Sequence, residues 1–354
     1  MSKKSVQTAA GALFLFCLNA YLCRELFVTE FTQHMGSIES TFIALGRYIM
    51  EHPWELRWLP WWYGGVPFQN AYSPLLHLLV AAVGSSAGIS APLSYHAVTA
   101  ATYCLGPATL FWMGSRLNGR PLPSLVAALL YSVFSPSALL TPAVAADLGG
   151  LFGARRLQAL VQYGEGPHIT SMFLLPLAVI ALDVALRKAT PISTVVAAVA
   201  TMSVVLTNWI GTVALAMALV AYLLAKSEDR STHTWVRAAG IAGLSYVLVA
   251  TWIPPSTLFA IQRNAQIIGG SYEIGVQQWL YMALALVAVF AVRYSLRRAR
   301  ASEFVQFWTV FFVLCGSLPL TAEWLGIYIL PQPERYHLEM EMAVCFLAAI
   351  ALAE

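Results

Sequence analysis

The chain has 354 residues, of which 59% are hydrophobic and only 10% charged, and its formal net charge is +3. A soluble domain averages roughly 25% charged residues, so the composition excludes an ordinary soluble enzyme and a disordered chain. It points instead to a polytopic membrane protein of all-α class, and so small a net charge calls for no nucleic-acid partner.

Lys3 and Lys4 precede the apolar run Val6–Phe27, which is of membrane-spanning length and has no small-residue cleavage site after it. A retained first helix is expected rather than a cleaved signal peptide. In the next segment, "HMGSIESTFIALGRYIMEH", Ile38, Phe42, Leu45 and Ile49 fall on one face at helical spacing. That spacing predicts an amphipathic helix lying in the interface, with Ser37 as its cap and Glu39 in its first turn. Glu39 either complements the helix dipole or presents a carboxylate to a cavity, and Glu30 competes for the second role. The stretch from Leu56 to His77, "LRWLPWWYGGVPFQNAYSPLLH", follows. Trp54, Trp58, Trp61, Trp62 and Tyr63 suit the headgroup zone, where ring bodies are apolar and their N–H and O–H groups stay wet. Gly64, Gly65, Pro67 and Pro74 predict turns that lay the backbone along the surface. The apolar run Pro74–Gly84 is too short to span and is read as interfacial or re-entrant.

Further spans are expected at Leu93–Ser115, Leu122–Thr141, Pro167–Leu186, Ser193–Thr207, Ile210–Ala225, Ala238–Ile261, Val276–Val292, Phe304–Leu320 and Leu338–Ala353, about ten in all. With the N-terminus cytoplasmic, 13 of the 20 basic residues, including all four lysines, fall on the cytoplasmic side. Counting Pro74–Gly84 as a span scatters them. The external segments are then about 28–92, 142–166, 262–275 and 321–337, within a single membrane domain over 1–354. The chain stops in an apolar run, which leaves a continuation open. The five cysteines lie in apolar runs without metal-ligand spacing and are read as packing residues.

The external segments hold the polar residues that need a reason. Asp147 closely follows the third span. "YGEGPH" sets Glu165 and His168 three apart in a Gly/Pro frame, either as a weak pair of divalent-metal ligands or as a polar helix start. "QPERYHLEMEMAV" brings Glu334, Arg335, His337, Glu339 and Glu341 into the last span. Glu339 and Glu341 are two apart and cannot share a helix face, so at least one is expected to turn inward. Arg335 carries a planar fork suited to phosphate. Twelve of the 17 acidic residues fall at external ends, which favours a site at that surface.

The order of an early acidic residue, an amphipathic helix, "WWYGGVPFQNAYSPLLHLL", "SRLNGR" and "SLVAALLYSVFSP" resembles the GT-C superfamily of polyprenyl-phosphate-sugar-dependent membrane glycosyltransferases. More narrowly, it is similar to bacterial multi-pass proteins described as 6-pyruvoyl-tetrahydropterin-synthase-related or YfhO-like. Their "W…YGG.P…YPPL" pattern stands here as Trp62-Tyr63-Gly64-Gly65-Val66-Pro67 and Tyr72-Ser73-Pro74-Leu75, and a "P.R" element as Pro333-Glu334-Arg335. The resemblance implies a catalytic acid in the first external loop, where Glu39 stands alone instead of in an acidic pair. It implies a further acid in the second loop, at Asp147 or Glu165. Glu39 would be the base, Arg335 the phosphate clamp with His337 nearby, and Tyr63 and Tyr72 substrate contacts. Glu165, His168 and Asp147 would orient the acceptor or hold a metal. The implied partners are membrane lipid, a polyprenyl-phosphate sugar donor and a lipid, glycan or protein acceptor, at the cytoplasmic (inner) membrane. A lipid or ion transporter and a non-catalytic scaffold are the alternatives from the residues alone.

Overall fold

The computed structural model describes residues 3–34, 36–61, 64–226, 232–268 and 275–353. Tyr63, Trp62 and residues 269–274 of the expected external segment 262–275 lie outside the described residues.

The fold is almost wholly helical. α1 (Lys3–Leu22) ends in a short 3-10 turn at Arg24–Phe27, and α2 (Glu39–Glu51) follows. A two-stranded antiparallel hairpin, β1 (Trp58–Leu59) and β2 (Val66–Pro67), then turns back on itself. Gly64 and Gly65 make that turn with φ of 82° and 113°, a region that favours glycine. A Cβ on Gly65 would also strike the Trp58 indole. This hairpin is the only sheet among the described residues. Trp54 and Trp58 stay exposed beside it.

α3 (Leu75–Ala87) meets α4 (Ala91–Asn118) at a bend of 117°. Gly88 supplies the left-handed residue after α3, and the Ser90 side chain caps α4 through the Leu93 N–H. Pro74–Gly84 therefore belongs to a helix that turns away from the bundle axis. α5 (Pro121–Val133), α6 (Ser137–Leu140), α7 (Pro142–Leu148) and α8 (Arg155–Gln162) come next. The span expected at Leu122–Thr141 is thus broken at Phe134–Pro136. Pro136 has no N–H for the ladder and disfavours helix at Ser135.

α9 (Gly166–Lys188), α10 (Pro191–Val205) and α11 (Trp209–Ala225) pack together, with an Asn208 cap opening α11. α12 (Thr232–Val249) and α13 (Pro255–Ile268) replace the single span expected at Ala238–Ile261. The Pro254-Pro255 step separates them, since neither proline can donate to the ladder. α14 (Val276–Arg298), α15 (Glu303–Leu325) and α16 (His337–Ala351) complete the chain.

Among the described residues, four helices are long and apolar enough to cross a membrane, Ser5–Leu22, Gly166–Lys188, Val276–Arg298 and Glu303–Leu325, or five if the bent pair α3–α4 counts as one. α5, α10 and α11 are shorter apolar helices. α9 sits centrally, against α4 on one side and α10 and α11 on others, while α16 packs on both α15 and α5. The outer faces of α1 and α14 leave Leu13, Phe14, Leu280, Leu284, Val287 and Phe290 more than half exposed. So much continuous apolar surface is a membrane or partner face rather than a water face.

Candidate functional site

Three of the segments expected to be external, 28–92, 142–166 and 321–337, contribute to one cavity of about 510 Å³. Its charged lining is Asp147, Arg155, Glu165, Glu323, Glu334 and Arg335, with His168 and His337. Ile38, Val144, Ala159, Pro319 and Leu338 supply the apolar wall. Such a mixture suits a ligand with a charged head and an apolar remainder.

Local sequence explains how each group arrives. Gly164, at φ of 72°, lets the chain turn into α9 while passing the start of α2. A Cβ there would meet the Glu39 backbone N at 2.6 Å and the Ile38 N at 3.0 Å. Ile38 N–H donates to the Tyr163 carbonyl at 3.3 Å, which ties the segment before α2 to the segment before α9. Glu165 then precedes Pro167 in the first turn of α9, and His168 follows one turn on. The third segment delivers Arg335 through a 3-10 turn at Pro333–Tyr336.

The pairings form two connected chains. In the first, Arg335 Nη1 lies 2.9 Å from Glu165 Oε1. Glu165 Oε2 faces His168 Nδ1 at 3.9 Å, and His168 Nε2 donates to Glu339 Oε1 at 2.8 Å. In the second, Arg155 bonds Asp147 and also donates to Gln158 at 2.5 Å. Arg155 Nε donates to His337 Nε2 at 3.1 Å, while His337 Nδ1 donates to the Glu334 carbonyl at 2.6 Å. This arrangement requires the neutral histidine that carries its proton on Nδ1. Tyr163 donates its hydroxyl to Asp147 at 2.7 Å. Burial pulls the Asp147 carboxyl upward, but hydrogen bonds from Arg155 and Tyr163 outweigh it and hold the group below its ordinary range.

Five of the residues singled out in the sequence therefore line the cavity: Asp147, Glu165, His168, Arg335 and His337. Glu39 does not line it. It is buried one layer behind, bonded by Thr32 and 3.4 Å from His96 Nε2, while Ser37 accepts its backbone N–H at 3.2 Å. Glu30 is further off, accepting from Ser90 at 2.5 Å. Tyr72 also stands outside the lining. Its hydroxyl accepts from Asn208 at 3.1 Å, and burial, then the Glu165 charge, pushes it up to about 12. Glu339 and Glu341 both turn inward, at 0% and 1% exposure. The reason is that α16 is covered on two sides, by α15 and by α5. Ser137 bonds Glu341, and Glu339 Oε2 has no hydrogen-bond partner among the described residues.

A divalent metal does not fit the Glu165–His168 pair as it stands. Both histidine nitrogens face carboxylates and Glu165 is committed to Arg335. No group of three or more His, Cys, Asp or Glu with metal-holding geometry occurs among the described residues.

Arg155 and Arg156 escaped the sequence reading. Arg156 is buried below the cavity, its guanidinium 4.5 Å from the ring centroids of both Tyr103 and Tyr131. Cation–π contact of that kind is worth about 2 kcal/mol when desolvated. The available signal was the threading itself, since two adjacent arginines in a segment expected to be external run against the positive-inside bias.

Neither a protein-family model nor a curated protein matches this chain.

Proposed function

We propose that this chain is a membrane glycosyltransferase that takes a sugar from a polyprenyl-phosphate donor at the external face. The reading includes a bundle of about ten spans with a cytoplasmic N-terminus, in which the shorter helices and the broken α5–α6 and α12–α13 segments complete the crossings. The observation that carries it is the single cavity where three external segments bring two arginines, several acids and an apolar wall together.

In this reading the donor phosphate lies against Arg335 and Arg155. Arg335 spends Nη1 on Glu165, and a guanidinium has five N–H donors, so others serve the phosphate. Glu165 orients Arg335. The acceptor hydroxyl oxygen attacks the anomeric carbon, the bond to the phosphate oxygen breaks, and the electron pair leaves with the lipid phosphate. Asp147 takes the hydroxyl proton, because it is an exposed acid of the lining paired with the arginine that faces the phosphate, and Arg155 keeps it ionised. Glu39 moves from base to support, bracing the first external segment behind the wall.

The test is reconstitution of the purified protein with a radiolabelled polyprenyl-phosphate sugar, alongside mass spectrometry of co-purified lipid. Transfer that collapses in Asp147→Asn supports the reading. Absence of transfer from every such donor, with no polyprenyl lipid retained, overturns it.

A second reading has one observation in its favour. Buried His168, Glu339 and Glu341 place ionisable groups inside the helical bundle, as a proton-coupled lipid transporter requires. Glu339→Gln should then abolish substrate movement driven by a pH gradient, whereas a transferase needs no gradient.

A further inference from the structure

A second groove lies at the opposite, basic end of the bundle. α4, α9 and α10 enclose a cavity of about 480 Å³. Leu177, Ile180, Ala181 and Val184 of α9 recur at three- and four-residue spacing and make one apolar stripe along it. Val196 and Ala200 of α10 form the facing wall. From Leu177 to Lys188 the helix rises ~16 Å, a length suited to much of an acyl chain.

The stripe ends in positive charge. Arg116, in the last turn of α4, and Lys188, the last residue of α9, line the same cavity and are exposed. Trp112 stands one turn in from Arg116. The acid beside them is Asp183, which is buried and already held by the Tyr222 hydroxyl at 2.5 Å and by Arg187, with Arg116 Nε 4.0 Å away. Two cations, Arg116 and Arg187, thus share one spoken-for carboxylate, Lys188 adds a third positive charge at the mouth, and no carboxylate lines the cavity among the described residues. Thr190 and Ser193 add hydroxyls at the same mouth.

We propose that this groove binds one anionic glycerophospholipid, with its phosphate between Arg116 and Lys188 and an acyl chain along the α9 stripe. The gradient from two exposed cations to an apolar slot matches that amphiphile. A zwitterionic lipid brings its own cation to a mouth already in positive excess, so the anionic class is favoured. The site rests on membrane embedding alone and not on the glycosyltransferase reading.

The test uses delipidated protein in neutral detergent, titrated with phosphatidylglycerol or phosphatidylcholine and followed by native mass spectrometry and thermal unfolding. Phosphatidylglycerol should be retained as one adduct and raise the unfolding temperature, with phosphatidylcholine several-fold weaker. The double change Arg116→Gln, Lys188→Gln should weaken retention about ten-fold. Val184→Trp fills the stripe, leaves both charges in place and should weaken it as well. Arg187→Gln touches Asp183 but does not line the groove, and should retain the adduct. Equal retention by the double variant and Val184→Trp overturns the proposal, as does equal retention of phosphatidylcholine. A thermal shift from inorganic phosphate alone, unaffected by Val184→Trp, would make this a free-anion site and overturn the lipid assignment.

Discussion

Asp147, Glu165 and Glu39 are three acids with different surroundings, and replacing each with its amide separates their roles. Asp147→Asn keeps the shape and removes the proton acceptor, so transfer should fall by about 10²–10⁴-fold. Glu165→Gln leaves Arg335 without its partner at 2.9 Å and should act mainly on donor affinity. Glu39→Gln sits behind the wall and should leave turnover nearly intact. Steady-state kinetics on the three variants checks this, and a dead Glu39→Gln enzyme beside an active Asp147→Asn one would return the base to Glu39. Asp147 also sets a pH dependence. Its carboxyl is held below the ordinary range in the folded protein, so its contribution is present above the unfolded value and is lost as pH falls through the folded one. Thermal unfolding of wild type and Asp147→Asn should therefore diverge near neutrality and converge in strong acid. The acids and Arg335 were legible because charge at the mouth of an apolar run is costly and needs a purpose. Arg155 was not, because its role depends on three-dimensional neighbours. Asp147 is close in sequence, but His337 reaches it only through the fold.

Among the elements, the long apolar runs revealed α1, α4, α9, α14 and α15, but not where proline would interrupt a run. Pro136 and Pro254-Pro255 cut two expected spans because the missing N–H outweighs hydrophobicity. The β1–β2 hairpin was hidden for the opposite reason. It is two residues per strand, too short for any alternation to show, and only its two glycines signalled a turn. Two close approaches make the packing testable. Cys23 and Cys104 Sγ atoms are 3.5 Å apart, joining the end of α1 to α4. Mild oxidation should cross-link them, and peptide mapping should recover that pair, since a small shift brings the sulfurs to the bonded distance of ~2 Å. Gly164→Ala should disrupt the junction between α2 and α9. The added methyl strains a φ of 72° and meets the Glu39 and Ile38 backbone as well as the Ser37 hydroxyl, so a side-chain shift alone does not relieve it. A lowered unfolding temperature and weakened donor binding are expected together.

At the scale of the molecule, the helical class was readable from composition and the apolar runs alone. The meeting of three distant segments in one cavity was expected from the charges at their ends, but Glu39 was wrongly placed in its lining, because which side chains face the cavity depends on how the helices pack around α9. The proposed threading predicts that a cysteine at Gln69 is labelled from outside by an impermeant reagent and one at Ala301 is not. Labelling of Ala301 from outside would reverse the orientation and put the cavity on the other side. The bend of 117° between α3 and α4 has a mechanical consequence. Under the proposed threading, α3 lies across the outer leaflet with Leu78, Leu79 and Val83 exposed, and the proposal puts no such helix at the basic end. The protein then occupies more area in one leaflet than in the other and acts as a wedge. It would favour membrane that bulges toward the side of its cavity, and its density on vesicles of graded diameter would report the angle of that wedge.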